Sequence, residues 1–427
     1  MAKSPYNHRR PSSLLRWWGK IIIMLGLCIL VGGCQFQAPQ TEGVINLTLW
    51  HGINPPPNRD VFQKLVDRFN QDHPHIQVEA LYIGQPDQQM PKILTAVVGN
   101  APPDILWYTP IITGQLVELD AIKPIQDWLN NSPVKAEIDP ALWTGMELEN
   151  QIWSVPMATN NTAIFYRPSL FEAAGIETIP STWSEFRETA TKLTTAGEKY
   201  GIVLPLGKGE WTVFTWLPFM YSAGGELVRN GEANLVNPGA IAALEFWSNL
   251  IEDGSAILSA PERGYEQDNF ISGRVAMQIT GPWTLGYLDQ IGIDYGVFPI
   301  PVENQQAAVV GGENLFVMKT TPDREKAALE FLEYVVGSEF QTEWSLGTGY
   351  LPINLTTRLD PRYQEYVAKQ PALNVFLQQM NWAVSRPNIP GYSRLSENLG
   401  RAIEATLLGE PPQSALKASQ NRLRLAL

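Results

Sequence analysis

Residues 152–167 run Ile152-Trp-Ser-Val-Pro-Met-Ala-Thr-Asn-Asn-Thr-Ala-Ile-Phe-Tyr-Arg167. Two strand-like runs, Ile152–Met157 and Ala163–Tyr166, flank the polar step Thr159-Asn160-Asn161-Thr162. β-Branched and aromatic residues suit a pleated, half-buried backbone, and Pro156 is confined to an edge or a bend. Two readings are open on these residues alone. One is a hairpin with an Asn-Asn turn, which Asn tolerates well. The other is an extended crossover between two halves of the chain, its amides facing a cleft. A second Pro-bearing extended segment, Tyr295-Gly-Val-Phe-Pro-Ile-Pro301, lies far downstream and favours the crossover.

The sequence on either side has α/β character. Ile45–Trp50 alternates as a strand, and Val61, Phe62, Leu65, Val66 and Phe69 recur at helical spacing, with Asn58 as the expected N-cap. Strand Ile76–Ile83, helix Met90–Val98 and buried strand Asp104–Tyr108 follow, the pattern of a parallel sheet with right-handed crossovers. Beyond residue 167, Thr182 and Glu185 form a capping box, Tyr200–Leu206 is a strand, and Asn237-Pro238 opens a helix. Arg274–Thr280 and Leu315–Met318 are strands. Thr321-Pro322 opens a helix ending at Gly337, and the tail is helical over Leu395–Leu408 and Ala415–Leu425.

At 427 residues the chain exceeds what one core usually serves, so two domains are expected. The first 33 residues hold five basic residues (Lys3, Arg9, Arg10, Arg16, Lys20) and no acidic one, then the apolar run Ile21–Val31. This is the pattern of an export signal, and the run is too short for a comfortable membrane span. Subtracting those five from the 31 Lys and Arg leaves 26 against 43 Asp and Glu, a formal charge of −17. That excludes nucleic acid as a partner, since binding it depends on basic patches that displace counterions. The only cysteines are Cys28, inside the apolar run, and Cys34, so the body has no disulfide and no thiol chemistry. His73-Pro-His75 beside Asp72 is a polar turn rather than a metal site, and no metal or cofactor is expected. No nucleophile elbow, phosphate-binding loop or dinucleotide fingerprint occurs.

Val31-Gly32-Gly33-Cys34 resembles the lipobox of bacterial lipoproteins, in which the cysteine is lipidated. Residues 34–43 would then tether the body to its anchor. The body resembles the extracellular solute-binding proteins of ABC importers, in the sugar cluster that includes maltose-binding and glycerol-3-phosphate-binding proteins. The resemblance rests on Leu47–Trp50, Pro103-Asp104-Ile105, Ser154-Val-Pro-Met with Phe165-Tyr166, and Gly224-Gly225. It continues through Gly281-Pro282-Trp283, Tyr295–Pro301, Gly311-Gly312, Gly349-Tyr350-Leu351-Pro352, and Gly409 with Ala415-Leu416. It implies an α/β, two-lobe periplasmic-binding-protein fold with discontinuous lobes, hinge crossovers and a helical C-terminus. Lobe 1 is expected over 44–156 and 302–340, and lobe 2 over 157–301 and 341–427. It also implies a monomeric, non-enzymatic sugar or polyol carrier serving ABC importer permease subunits, touching the membrane only through its lipid anchor.

Ligands of open α/β sheets sit beyond the carboxyl ends of strands, which nominates Trp50, His51, Tyr108, Asn160 and Trp283. A sugar needs flat aromatic surfaces for its C–H face and amides or carboxylates for its hydroxyl rim. Trp283 is the leading stacking residue, because the family places a ligand-facing aromatic there, and Trp211 follows it. Should Trp50 pack below the cleft, His51 or Asn54 would reach the ligand instead. Asn160 stands where maltose-type members use a carboxylate. Gly312 and Glu313 belong to the returning segment, with Glu313 the expected acidic partner and Glu210 a weaker one. Tyr350 and Arg386 match ligand-facing positions of glycerol-phosphate binders, which keeps glycerol 3-phosphate or a glycerophosphodiester as the alternative ligand. A glycoside-acting enzyme is the remote alternative, since two carboxylates at the right separation would suffice.

Overall fold

The computed structural model describes residues 43–260, 265–387, 389 and 391–425. The leader, the lipobox and Cys34 lie outside them. Ten strands build two five-stranded sheets: β1 (Ile45–His51), β2 (Ile76–Tyr82), β3 (Ile105–Tyr108), β4 (Val155–Pro156) and β5 (Ala163–Tyr166), then β6 (Tyr200–Leu204), β7 (Ala256–Leu258), β8 (Val275–Thr280), β9 (Gly296–Phe298) and β10 (Asn314–Val317). The first sheet has the order β2-β1-β3-β10-β4 and the second β7-β6-β8-β5-β9. In each, the helix-linked strands are parallel, and the strands next to the crossings, β10 and β5, run antiparallel to them. This is the two-lobe α/β fold. Its second lobe carries the helical tail.

The inner strands β3, β8 and β10 are buried on both faces, which is why they carry near-continuous apolar runs, whereas β1 and β2 alternate between buried and more exposed positions. Helix Pro56–Asp72 lays Phe62, Leu65, Val66 and Phe69 on the first sheet. In the second lobe, helices Pro361–Lys369 and Pro371–Gln379 bring Tyr363, Leu373 and Phe376 onto Phe165 and Val203. The opposite face is closed by Phe186, Trp216 and Leu217. The capping box at Thr182 and Glu185 forms as expected, and Asn237 caps helix Pro238–Glu252 by accepting from Ala240 N at 2.9 Å.

Three boundaries differ from expectation. Helix Pro56–Asp72 begins at the prolines, and Asn58 is inside its first turn, where its Nδ2 donates to Trp283 O (3.1 Å) in the other lobe. Tyr295–Pro301 is not itself the crossing. Its β9 portion is the edge strand of the second sheet, Val302 still pairs with Thr182, and the chain passes between lobes only at Val310–Glu313. The boundary expected at 340 falls inside a helical run that stays with lobe 1. Helix Ser338–Thr348 packs on helix Pro56–Asp72, with Trp344 edge-on to Phe62 (centroids 6.1 Å), so the last crossing follows it.

Candidate functional site

Three chain segments pass between the lobes side by side. Asn160 N donates to Gly311 O (3.2 Å) and Gly311 N to Asn160 O (2.7 Å). Thr159 and Leu351 exchange a similar pair at 3.3 and 3.1 Å, and Met157 N donates to Glu313 O at 2.9 Å. Main-chain groups crossing a gap between two cores have no sheet to join, so they satisfy one another. The approach is too close for a side chain at Gly312. A Cβ there would stand 2.2 Å from Ala158 O, and its φ of +127° is a glycine conformation.

Because side chains alternate along an extended segment, Asn160 and Glu313 face one side of this ribbon and Thr159, Val310 and Asn314 the other. On the Asn160 side lies a narrow cavity of about 50 Å³. Lobe 2 supplies most of its wall: Glu210, Trp211 and Phe214 from the first turns of helix Glu210–Ser222, and Trp283 from the turn after β8. Lobe 1 adds Thr109, just past β3. Gly311, Gly312 and Arg386 complete it. The indoles of Trp211 and Trp283 meet edge to face with centroids 6.0 Å apart. Trp283 folds back over Gly281, where a Cβ would stand 2.0 Å from the indole, so the Gly-Pro-Trp spelling is a packing requirement. Asn160 is 2% exposed, and its Oδ1 has no hydrogen-bond partner among the described residues.

The wall holds one guanidinium, Arg386, against two carboxylates, Glu210 and Glu313. Arg386 is buried and donates from Nη1 to Glu210 Oε1 (2.6 Å) and from Nη2 to Thr109 Oγ1 (3.2 Å), with its guanidinium 4.8 Å from the Phe214 ring centre. Glu210 also accepts from Tyr392 Oη at 3.3 Å and from Ser396 Oγ. Burial works against the charge on Arg386, but the facing carboxylate of Glu210 outweighs it and holds the guanidinium above its ordinary pKa. Burial, reinforced by Glu210, pushes the Tyr392 phenol well up, so it stays protonated as a donor. Arg386 is therefore the counterion of a resident carboxylate rather than an uncommitted anion receptor.

Of the residues nominated from sequence, Asn160, Glu210, Trp211, Trp283, Gly312, Glu313 and Arg386 line this cavity. The other five are elsewhere. Trp50 turns away and packs with Leu106, Tyr108 and Ile93, and Tyr108 is buried in that same cluster, leaving its neighbour Thr109 at the cavity. His51 is buried between Phe62 (centroids 5.3 Å) and Tyr82 (5.9 Å), its Nδ1 accepting from Ile53 N at 3.3 Å. Burial, with the charge of Arg59 adding to it, lowers its pKa to about 4, so the ring is neutral. Asn54 uses its carbonyl to accept from Asn58 Nδ2 (3.4 Å) and does not line the cavity. Tyr350 lies tilted behind Trp283 (6.0 Å) and stacks on Trp344 (5.4 Å), supporting the wall without lining it.

Thr109, Phe214 and Gly311 were not nominated. Helix Glu210–Ser222 is buried on every side from Thr212 onward, so it has no amphipathic period to mark it in sequence. The signal present was the charge of Glu210 directly before an uncharged, mostly apolar run. His73 and His75 sit apart from the site, His73 stacked on Phe69 (4.1 Å) and His75 3.4 Å from Glu330. A second cavity, about 390 Å³, lies on the Thr159 side of the ribbon, lined by Leu142, Met146, Leu377 and Met380 and by no aromatic ring. It has room for a solute but offers nothing flat to stack on.

A two-lobed α/β body with an aromatic and amide cavity against its interlobe ribbon is the architecture of a solute-binding protein. The chain belongs to the bacterial extracellular solute-binding protein family, whose profile matches residues 64–371. It is 25% identical over 374 residues to the sn-glycerol-3-phosphate-binding periplasmic protein of Salmonella typhimurium, covering 82% of this chain and 83% of that one. It superposes with a TM-score of 0.80 on an ABC transporter solute-binding protein of Thermotoga lettingae bound with alpha-D-tagatose (24% identity, 89% of this chain, 98% of that one). The TM-score is also 0.80 against the Mycobacterium tuberculosis protein UgpB in complex with glycerophosphocholine (21% identity, 90% and 98%).

Proposed function

We propose that this protein captures a neutral sugar or a glycosylated polyol between its lobes by hinge closure and delivers it, unaltered, to the permease of an ABC importer. The observation that carries this reading is the pairing of two indoles with the unmade acceptor of Asn160 in a wall whose one arginine is already matched by Glu210. Indole faces suit the C–H side of a pyranose, and an amide can both donate to and accept from hydroxyls. A phosphate would have to displace Glu210 from Arg386 or sit beside both, which disfavours the phosphorylated alternative. The space between the walls, about 50 Å³, is far below sugar size, so a ligand would have to enter with the walls further apart. A disaccharide at roughly 0.3–0.4 kcal/mol per heavy atom gives about 7–9 kcal/mol, on the order of micromolar affinity. Only contacts made by both lobes at once can favour the closed form.

The relatives bind tagatose and glycerophosphocholine, and both classes belong in the test. A thermal-shift screen of the purified protein against mono- and disaccharides, glucosylglycerol, glycerol 3-phosphate and glycerophosphocholine should give its largest stabilisation with a neutral glycoside. A larger shift with a phosphorylated compound, abolished in Arg386→Ala, would replace this reading with the phosphate one. Turnover of any glycoside on prolonged incubation would replace transport with catalysis. Anchoring through a lipidated Cys34 at the envelope is part of the proposal. It requires that Cys34→Ser release the protein from membranes.

A further inference from the structure

Two buried glutamines hold the ends of the interlobe ribbon. Gln341, in helix Ser338–Thr348 of lobe 1, donates from Nε2 to Met157 O (2.9 Å) and Val335 O (2.9 Å) and accepts at Oε1 from Ile353 N (3.2 Å). Gln379, at the end of helix Pro371–Gln379 on the second sheet, donates from Nε2 to Asn161 Oδ1 (2.7 Å) and Thr162 O (3.0 Å) and accepts from Ile300 N (3.3 Å). Both are 0% exposed. Each amide ties the first crossing segment to a second stretch of chain: Gln341 to Ile353, two residues past the ribbon residue Leu351, and Gln379 to Ile300, just after edge strand β9 of the second sheet. Asn161 adds a bond from Nδ2 to Phe376 O at 2.9 Å.

Between these two clamps the first segment has only Ala158, Thr159 and Asn160. Their main-chain bonds go to Glu313, Leu351 and Gly311, all within the ribbon itself. Just before them Met157 is held to lobe 1 by Gln341, and just after them Asn161 and Thr162 are held to lobe 2 by Gln379 and Phe376. We propose that Gln341 and Gln379 are positioning residues of the hinge, confining its bend to Ala158–Asn160 and so fixing the angle at which the lobes meet. The inference rests on the reading that the lobes move about this ribbon. A glutamine suits the task because one side chain offers two donors and an acceptor in one plane, enough to satisfy main-chain groups of two different segments. An apolar side chain of similar volume would leave those buried groups without partners.

The test is the interlobe distance distribution, measured by pulsed electron resonance in the full chain with Cys28 and Cys34 replaced by Ser and nitroxides at Asp60→Cys and Lys192→Cys. Both label positions are exposed, one in each lobe. Without added solute, Gln341→Met and Gln379→Met should each broaden the distribution at least about twofold relative to the parent, because the bend is no longer confined. Folded variants with the parent's width would overturn the proposal. Should a Met variant fail to fold, Gln379→Glu and Gln341→Glu, which keep the acceptor but lose the donors, give the same reading. Maltose and glycerol 3-phosphate are then added to the parent as probes. A parent distance that no probe shifts counts against closure on these solutes, while the widths still decide the glutamines.

Discussion

Both lobes carry aromatic residues near the carboxyl ends of their sheets, at the last residues of β1 and β3 in lobe 1 and in the segments after β6 and β8 in lobe 2, and use them in opposite ways. In lobe 1, Trp50, His51 and Tyr108 fold into packing against their own sheet and helix. In lobe 2, Trp211 and Trp283 stand in the cavity wall with Phe214. The difference follows from what lies next to each. His51 and Trp50 have apolar neighbours within reach, Phe62 for one and Leu106 for the other. Trp283 follows Gly281-Pro282, a turn that folds its ring back across the glycine and leaves it at the wall. On the proposed function, lobe 2 would offer a solute most of its flat contact, and lobe 1 would contribute Thr109 and the shared ribbon.

This contrast can be broken in several places. The largest effect is expected at Glu210, which holds the lobe 2 wall together. Glu210→Ala leaves Arg386 charged and buried, costing about 3–5 kcal/mol in urea denaturation, and adding Arg386→Leu should restore much of it. On the lobe 1 side, His51 ties stability to pH. Its folded pKa of about 4 lies below its unfolded value near 6.5, so the unfolded chain takes up the proton first. Its contribution is complete above pH 6.5 and is lost as pH falls through 4, worth up to about 3 kcal/mol. In a denaturation series from pH 7 to 4, His51→Asn should show a shallower slope than the parent. Next comes a matched pair: Trp283→Ala should weaken sugar binding roughly 30- to 100-fold by calorimetry, about 2–3 kcal/mol, while Trp50→Ala lowers stability and leaves affinity within about twofold. Equal losses from both would end the distinction between the walls. Thr109→Val is the smallest change, about threefold in affinity, because it removes one hydrogen bond to Arg386.

Much of the architecture was legible in the chain because it rests on periodicity and caps. Strand β1, helix Pro56–Asp72 and the Thr182–Glu185 box are local signals, and so is the polar step at Asn160. What escaped depends on tertiary surroundings. The strand-end rule marked Trp50 and Trp283 alike, and only packing separates them. Asn58 reads as a cap but serves as a bond to the other lobe, since Pro56 and Pro57 already begin the helix. Tyr295–Pro301 has the composition of a crossing yet belongs to the second sheet, because β9 finds a partner in β5 before the chain leaves. Arg386 stood as an anion receptor in sequence, and its role changed once Glu210, far away in the chain, came to face it.

The rings that line and back the cavity form a continuous series from Phe214 through Trp211, Trp283, Tyr350 and Trp344 to Phe62, each within 6.3 Å of the next. Excitation absorbed anywhere along that series is shared with the indole nearest the incoming solute. Occupancy should thus register in the protein's own ultraviolet emission, making it a label-free optical gauge of its cargo.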